Sequence, residues 1–221
     1  MKLKYVKVFG ERNTGTNFIN RLITKNTNFI VLKNKNNSLS KIKLNKLKDV
    51  YLKGFDSNSK MNPIVSQLIL ERLIDQQRED EIPDNYGWKH TLVSKKNIIN
   101  SEKFNSTLFI FLIRNPWRFI SSLYKRPYNL FPNPKGDLLD FLDSCFLANR
   151  RDNMPSDFVE NPVEFWNKKV NSYFECNQKI ENSLICYYEE IVYSPTQFLN
   201  TLKPFCDVYN DLEIPIKSTK N

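Results

Sequence analysis

The sequence predicts a single α/β domain over residues 1–221, with a mostly parallel central sheet between two layers of helices. Short apolar runs alternate with segments of helical periodicity along the chain, which is the pattern of strand–helix–strand units. The run 107–113 is continuously β-forming, as expected for a central strand covered on both faces. With 221 residues, 40% of them hydrophobic, the chain is long enough to bury such a core.

Five strands are predicted from short runs of apolar and β-branched residues. They cover residues 3–9, 29–32, 86–92, 107–113 and 184–188. A further short strand is expected near 50–52, inside a segment, 33–60, that is rich in Lys, Asn and Ser. The polar composition of that segment predicts an irregular surface excursion.

Six helices are predicted from apolar residues that recur every three or four positions. They cover residues 15–26, 63–78, 116–126, 137–150, 162–181 and 195–203. Several begin with proline, which is favoured in the first turn of a helix. Asn161 with Glu164 gives a capping signature before the fifth helix, and Ser194 with Gln197 repeats the signature before the sixth.

The charge balance of the chain is basic, with a formal net charge of +9 and a pI near 9.3. Such a balance suits an anionic ligand, a nucleic acid or an acidic surface. The chain is rich in Lys, Asn and Ile throughout, so the charge alone does not choose among these partners.

Cysteine and histidine usage argues against a zinc site and for a reducing compartment. Four widely spaced cysteines form no CxxC pair, and the chain has one histidine, so no Cys/His set for zinc is expected. Free thiols suit a cytoplasmic protein. Lys2, Lys4 and Lys7 interrupt the N-terminal apolar residues, so no signal peptide is predicted. The longest apolar run, 108–113, is too short to span a bilayer, so no transmembrane segment is predicted.

The stretch from Gly10 to Asn17 has the layout of a phosphate-binding loop. It joins an apolar strand to a helix, and Gly10 and Gly15 are five positions apart, so that backbone N–H groups can meet one anion. A nucleoside-triphosphate loop reads GxxxxGK[ST], with Lys on the phosphates and Ser or Thr on Mg²⁺. Here those two positions hold Thr16 and Asn17. The loop therefore predicts an anionic nucleotide used without a metal ion.

A second anion site is predicted at the end of the central strand. Arg114 follows that strand directly, at the sheet edge where open α/β sheets bind ligands. Ser122 lies eight residues later, about two turns into the next helix. The Arg fork and the hydroxyl can therefore converge on a phosphate distinct from the one at Gly10–Gly15. Taken alone, the pair is better explained by an arginine that caps a loop and a serine that packs in a helix.

Together with a third segment, these motifs resemble the sulfotransferases that use 3′-phosphoadenosine 5′-phosphosulfate (PAPS). The third segment, 185–195, reads ICYYEEIVYSP and is similar to the family's element of a strand, YED and a later proline. The three motifs occur in the family's order and span roughly residues 5–205. The resemblance implies a P-loop-like three-layer α/β/α fold and PAPS as the donor cosubstrate, with no metal.

The resemblance also implies roles for individual residues. Arg114 and Ser122 match the pair that grips the 3′-phosphate, and Tyr188 matches the tyrosine that stacks on adenine. The 5′-phosphosulfate would be held by the glycine loop, which here consists of Arg12, Asn13, Thr14, Gly15, Thr16 and Asn17.

The segment Gly87-Trp88-Lys89-His90 contains the only histidine of the chain. In many cytosolic sulfotransferases a KTH-type strand end carries the catalytic histidine about two dozen residues before the Arg motif, as His90 lies here. An acceptor that attacks sulfur needs a base with a pKa near neutrality, which histidine supplies. Lys89 either stabilises the charge that develops on the sulfonate or bridging oxygen, or is a solvated surface lysine.

Three departures from the family's pattern bear on these assignments. Many members carry a basic residue at the position of Asn13, whereas here Arg12 precedes it. Arg12 reaches the bridging oxygen, or else it faces the 3′-phosphate or solvent. Lys89 adjoins the histidine instead of preceding it by two positions, and no RKG-type segment covers the 3′-phosphate. The basic pair at 125–126 is a candidate for that cover.

The sequence predicts a sulfotransferase acting on a hydroxyl or amine of an acceptor such as a saccharide, lipid or small molecule. Two other classes stay open. A nucleoside or sugar kinase would need Mg-ATP, against which Thr16 at the lysine position counts. A nucleic-acid binder would fit the net charge, although no recognition motif supports it, so no nucleic-acid partner is expected.

Overall fold

The structure, a computed structural model of the chain, describes residues 2–33, 72, 75, 85–127 and 136–215. The strands there are β1 (Tyr5–Gly10), β2 (Ile30–Val31), β3 (Thr107–Ile113), β4 (Phe146–Leu147), β5 (Phe158–Val159) and β6 (Ser183–Tyr187). Four of them form a parallel sheet in the order β2–β1–β3–β6. The short strands β4 and β5 pair with each other in antiparallel orientation.

Helices connect the strands of the parallel sheet, as crossovers between parallel strands require. They are α1 (Thr16–Asn26), α2 (Lys95–Ile99), α3 (Pro116–Lys125), α4 (Leu138–Leu142), α5 (Pro162–Lys179), α6 (Tyr188–Tyr193) and α7 (Pro195–Leu202). Two single 3₁₀ turns lie at Phe104–Ser106 and Arg150–Asp152. Among the described residues, no helix combines the length and the hydropathy that crossing a bilayer requires.

The fully buried strand β3 separates two apolar cores. Leu108, Ile110 and Leu112 pack with side chains of α1 and α7, whereas Phe109 and Phe111 pack on the other face with side chains of α5. Side chains of a strand alternate between its two faces, so each face of β3 needs its own apolar cover. The fold is therefore α/β with helices on both faces of a parallel sheet, consistent with a three-layer α/β/α arrangement.

The strand register brings three strand ends together at one edge of the sheet. Gly10 of β1 pairs with Leu112 of β3, and Ile113 pairs with Tyr187 of β6. The strands are parallel, so the chain leaves each of them at the same side. The glycine loop, Arg114 and Tyr188 consequently begin side by side, although they are far apart in the sequence.

Most of the predicted elements are confirmed. The strands predicted at 3–9, 29–32, 107–113 and 184–188 correspond to β1, β2, β3 and β6, and the helices predicted at 15–26, 116–126, 162–181 and 195–203 correspond to α1, α3, α5 and α7. Helix α6, directly after β6, was not anticipated from the sequence. The excursion from residue 34 onward and the strand near 50–52 lie outside the described residues. The same holds for the helix at 63–78, apart from Arg72 and Asp75, which are both helical.

The strand predicted at 86–92 is wrong, because this segment is a turn whose backbone carbonyls accept hydrogen bonds from a buried lysine. Tyr86 and Gly87 have φ values of 61° and 68°, in the left-handed region that a strand does not use. The Nζ of Lys7, which is 1% exposed, donates to the carbonyls of Asn85 at 2.5 Å and Gly87 at 2.7 Å. These bonds to a charged donor satisfy carbonyls that a strand would pair with a neighbour.

The helix predicted at 137–150 is also wrong beyond its first turn. Asp137 caps α4 by accepting from the N–H groups of Leu139 and Asp140, but the helix ends at Leu142 and β4 follows. Pairing of β4 with β5 places Phe146 in a third apolar cluster, with its ring 5.4 Å from that of Phe165. Burial of this aromatic side chain in the cluster outweighs the local helical pattern.

The two capping signatures read from the sequence differ in the structure, which provides a matched test. Asn161 accepts from the Glu164 N–H at 2.8 Å, whereas Ser194 makes no side-chain cap bond. We expect Asn161→Ala to lower the free energy of unfolding by about 1 kcal/mol. The Ser194→Ala variant should stay within about 0.5 kcal/mol of the parent. Urea unfolding measures both, and equal losses would contradict the assignment of the caps.

Candidate functional site

The loop from Glu11 to Gly15 is closed by its own backbone before α1 begins. Thr14 donates to the Glu11 carbonyl through its N–H at 3.1 Å and through its hydroxyl at 2.5 Å. Asn13 and Gly15 have φ values of 62° and 80°. The N–H groups of Phe18 and Ile19 donate to the Gly15 carbonyl. The loop is therefore a tight turn that leads into the N-terminus of α1.

Several backbone N–H groups of this turn make no hydrogen bond within the part of the chain that the structure describes. They belong to Asn13, Gly15, Thr16 and Asn17. The first N–H groups of a helix have no partner in the helix itself. They attract negative charge, an effect that the helix dipole strengthens. The loop thus offers backbone donors to an anion.

Both glycines of the loop are required by close contacts. A Cβ at Gly10 would lie 2.9 Å from the carbonyl oxygen of Leu112 and from Thr14 Oγ1. A Cβ at Gly15 would lie 2.1 Å from the ring of Tyr188. The loop therefore packs directly against β3, and the Tyr188 ring lies against Gly15.

Arg114 and Ser122 meet beside the loop. Nη1 of Arg114 donates to Ser122 Oγ at 2.9 Å and to the Asn13 carbonyl at 2.6 Å. Its guanidinium carbon lies 5.4 Å from the centre of the Tyr188 ring. Its Nε is buried with no hydrogen-bond acceptor among the described residues, the nearest carboxylate oxygen being that of Glu189 at 3.9 Å. The structure brings these predicted residues into one cluster.

His90 and Lys89 contact the start of the same loop. The Gly10 N–H donates to the Lys89 carbonyl at 2.9 Å, and the His90 Nδ1 lies 2.5 Å from the Gly10 carbonyl. Lys89 Nζ donates to Asn17 Oδ1 at 2.5 Å. A carbonyl can only accept, so His90 Nδ1 carries the proton and Nε2 presents a lone pair.

The environment of His90 favours the neutral imidazole. Burial lowers the pKa of His90 well below its usual 6.5, and the positive charges of Lys89, Arg12 and Lys169 lower it further. The bond to the Gly10 carbonyl opposes this shift without overcoming it. The imidazole is therefore uncharged at neutral pH and able to accept a proton on Nε2.

The Arg12 side chain is part of a buried ion network. Its guanidinium, 3% exposed, donates to Asp152 at 2.9 and 2.7 Å and lies 3.4 Å from Glu11. Lys169 Nζ completes the network, 2.8 Å from Asp152 and 3.0 Å from Glu11. Burial alone would lower the pKa of Arg12, but Asp152 and Glu11 raise it above its ordinary value. Among the described residues, the hydrogen-bond partners of the Arg12 guanidinium are thus Glu11 and Asp152, and neither is another predicted site residue.

Sequence reasoning missed Glu11, Asp152 and Lys169, because charged residues are ordinarily expected at the surface. For Lys169 a signal exists in the periodicity of α5. It stands four residues after Phe165 and four before Tyr173, on the stripe that the structure buries. A charged residue on an apolar stripe indicates a buried ion pair. No comparable signal marks Asp152, which lies in a short 3₁₀ turn.

Comparison with known proteins adds no family assignment. No family model matches the chain, and no curated protein matches it either.

Both buried cations lie closer to Asp152, at 2.7 and 2.8 Å, than to Glu11, at 3.4 and 3.0 Å, so loss of the Asp152 carboxylate should be costly. Burial alone would raise its pKa, but Arg12 and Lys169 hold it well below the usual range. We expect Asp152→Asn to lower the free energy of unfolding by about 3–5 kcal/mol, as when one partner of a buried pair is removed. Urea unfolding at neutral pH measures the loss.

The exposed Asp157 provides the matched control. Asp157→Asn should change the free energy of unfolding by no more than about 0.5 kcal/mol. If the two variants lose the same stability, the network does not stabilise the fold.

Proposed function

We propose that this chain is a sulfotransferase that moves a sulfonate group from PAPS to a hydroxyl or amine acceptor. The observation that carries the proposal is the Arg114–Ser122 hydrogen bond beside the glycine loop. Two sets of anion-binding groups lie at the same edge of the sheet. A donor with a 5′-phosphosulfate and a separate 3′-phosphate is a ligand that would use both.

The residues present fit such a donor. The N–H groups of Gly15, Thr16 and Asn17, which bond no acceptor among the described residues, suit the phosphosulfate. The buried Nε of Arg114, which has no hydrogen-bond acceptor in the described chain, suits the 3′-phosphate together with the Ser122 hydroxyl. The Tyr188 ring offers a face on which adenine could stack. PAPS, when bound, supplies the sulfonate that is transferred.

His90 serves as the base in this proposal. The proton of the attacking hydroxyl passes to Nε2 while the acceptor oxygen forms a bond to sulfur. The bond from sulfur to the bridging oxygen breaks at the same time, and its electron pair stays on the departing phosphate. A neutral imidazole with its proton on Nδ1 is the state that permits this transfer.

Lys89 is the basic group that we assign to the sulfonate and the bridging oxygen. Its Nζ reaches the first turn of α1 through Asn17, where the backbone donors of the loop also lie. Positive charge at that position would stabilise the negative charge that develops on the leaving oxygen. Arg12 is the other candidate for this place from the sequence. Because its guanidinium is engaged with Asp152 and Glu11 beneath the loop, we assign it to holding the loop.

The cover of the 3′-phosphate and the acceptor class are extensions of the same proposal. The Asn13 side chain lies 3.4 Å from the Ser122 carbonyl and 3.5 Å from that of Arg126. The exposed pair Lys125 and Arg126, at the C-terminal end of α3, is therefore near the loop. We propose that this pair replaces the missing RKG-type segment. The acceptor would be a hydroxyl-bearing saccharide, lipid or small molecule.

Nucleotide selectivity tests the proposal directly. We expect the chain to bind 3′-phosphoadenosine 5′-phosphate more tightly than AMP in calorimetric titrations without Mg²⁺. Arg114→Ala and Ser122→Ala should each weaken binding of the bisphosphate, Arg114→Ala by about 10- to 100-fold, and leave AMP binding largely unchanged. The exposed Arg118 on the same helix is the control, and Arg118→Ala should have little effect.

Two results would overturn the donor assignment. One is equal affinity of the parent chain for the bisphosphate and AMP. The other is binding that requires Mg-ATP, which would favour a kinase.

The pH dependence of turnover tests the role of His90. Since its pKa lies well below 6.5, kcat/KM should stay level as the pH falls from about 8 to 6.5 and decline only in more acidic solution. His90→Ala should retain nucleotide binding and lose about 10²- to 10⁴-fold in rate. Retained turnover in that variant would remove the base assignment.

A further inference from the structure

His90 is held at three points by groups from three parts of the chain. Its Nδ1 bonds the Gly10 carbonyl at the end of β1. Its own main-chain carbonyl accepts from Lys169 Nζ of α5. Its ring meets the Trp88 ring edge-on, with the centroids 5.1 Å apart and the planes at 89°. A side chain fixed at the ring nitrogen, the ring and the backbone has little freedom to rotate.

Lys169 Nζ contacts three oxygen atoms in this arrangement. It donates to the His90 carbonyl and to Asp152 Oδ1, and it lies 3.0 Å from a Glu11 carboxylate oxygen in an ion pair. The side chain is completely buried. Burial of an ammonium is tolerated only when it is paired, so both carboxylates are needed to keep Lys169 under the His90 segment.

Trp88 is held by two guanidinium groups. The guanidinium carbons of Arg12 and Arg151 lie 4.6 and 4.5 Å from the centre of its ring. Each arginine is itself paired with a buried aspartate, Arg12 with Asp152 and Arg151 with Asp75 at 2.8 Å. Cation–π contacts between desolvated groups of this kind resist displacement of the ring.

We propose that Lys169 and Trp88 are positioning residues for His90, which hold its imidazole in the single tautomer with the proton on Nδ1. Their contacts with the loop are at Glu11 and Arg12 and not at the N–H groups assigned to the anion, so we assign their effect to His90. The catalytic value of this arrangement rests on the proposed function, whereas the tautomer does not.

The charges around His90 agree with a fixed neutral ring. The cations Lys89, Arg12 and Lys169 face it, and with burial they lower its pKa. Glu11 and Asp152 form ion pairs with Arg12 and Lys169 and neutralise their charge. Arg151 contacts the aromatic partner of the imidazole, the Trp88 ring. The network formed by Glu11, Arg12, Asp152 and Lys169 contains two carboxylates and two cations, so it is neutral as a whole.

The chain contains one histidine, so ¹⁵N NMR of the imidazole reports on His90 without assignment of other residues. At pH 7 we expect the imidazole of the parent protein to be protonated on Nδ1 and unprotonated on Nε2. Its titration is expected well below pH 6.5. A parent imidazole that titrates near pH 6.5 with both tautomers populated would overturn the proposal.

A double variant tests Lys169 without leaving an unpaired buried charge. Lys169→Met combined with Glu11→Gln removes one cation and one carboxylate, so Arg12 and Asp152 remain paired. We expect the ring nitrogen signals to move towards averaged values and the pKa to rise. Unchanged signals in the folded double variant would overturn the role of Lys169.

The neighbouring Lys168, which pairs with Glu164 at the surface of α5, provides the matched control. Lys168→Met should leave the imidazole spectrum unchanged, and a shift equal to that of the double variant would count against positioning by Lys169. Trp88→Leu supplies a second measurement if the double variant does not fold, with the same averaging expected and an unchanged spectrum overturning the proposal.

These spectra require neither donor nor turnover, which separates the two proposals. A protein that binds no bisphosphate but shows the fixed tautomer would refute the sulfotransferase assignment alone. A protein that binds the bisphosphate with an averaged imidazole would refute the positioning proposal alone.

Discussion

Asp152 is the group through which the separate parts of the site are held together. Its carboxylate receives two hydrogen bonds from Arg12 and one from Lys169, and its main-chain carbonyl accepts from the Leu92 N–H at 2.7 Å. The loop after β1, helix α5 and the segment after His90 therefore converge on one residue. A bidentate arginine contact fixes direction as well as distance, so the loop and the histidine are placed relative to each other and not only close together.

The register of the parallel sheet determines where Arg114 lies relative to the glycine loop. β3 pairs with β1 on one side and with β6 on the other. All of its side chains are buried, so packing on both faces of the strand specifies its register. A shift of one residue would turn Phe109 and Phe111 towards the face that now holds Leu108 and Ile110. The position of Arg114 beside the glycine loop is thus a consequence of core packing in β3.

Much of this fold and part of the site could be predicted from the sequence, because the relevant signals are local. The continuous run of β3, the apolar face of α1 and the Asn161 cap each depend on residues near in sequence. The segment around Gly87 could not be predicted in the same way, since its conformation depends on the Lys7 side chain, some 80 residues away. Helix α4 ends early for a similar reason, because Phe146 is buried by a distant partner in α5.

The same distinction applies to the candidate site. Gly10, Gly15, Arg114 and Ser122 stand in recognisable spacings, and the structure brings them to one edge of the sheet. Arg12 stands in the same motif, yet its surroundings are set by Asp152, 140 residues later. A motif identifies which residues lie near a loop, but the direction in which a charged side chain turns depends on counter-charges elsewhere in the chain.

Gly10 belongs at once to the anion loop and to the bonding of the histidine segment. Its N–H donates to Lys89 and its carbonyl accepts from His90, so one peptide unit on each side of Gly10 serves both parts. Any rotation of the backbone here would move the imidazole together with the loop. The loop and the His90 segment are therefore structurally coupled. Substitutions in one should have effects on stability that are not additive with those of substitutions in the other.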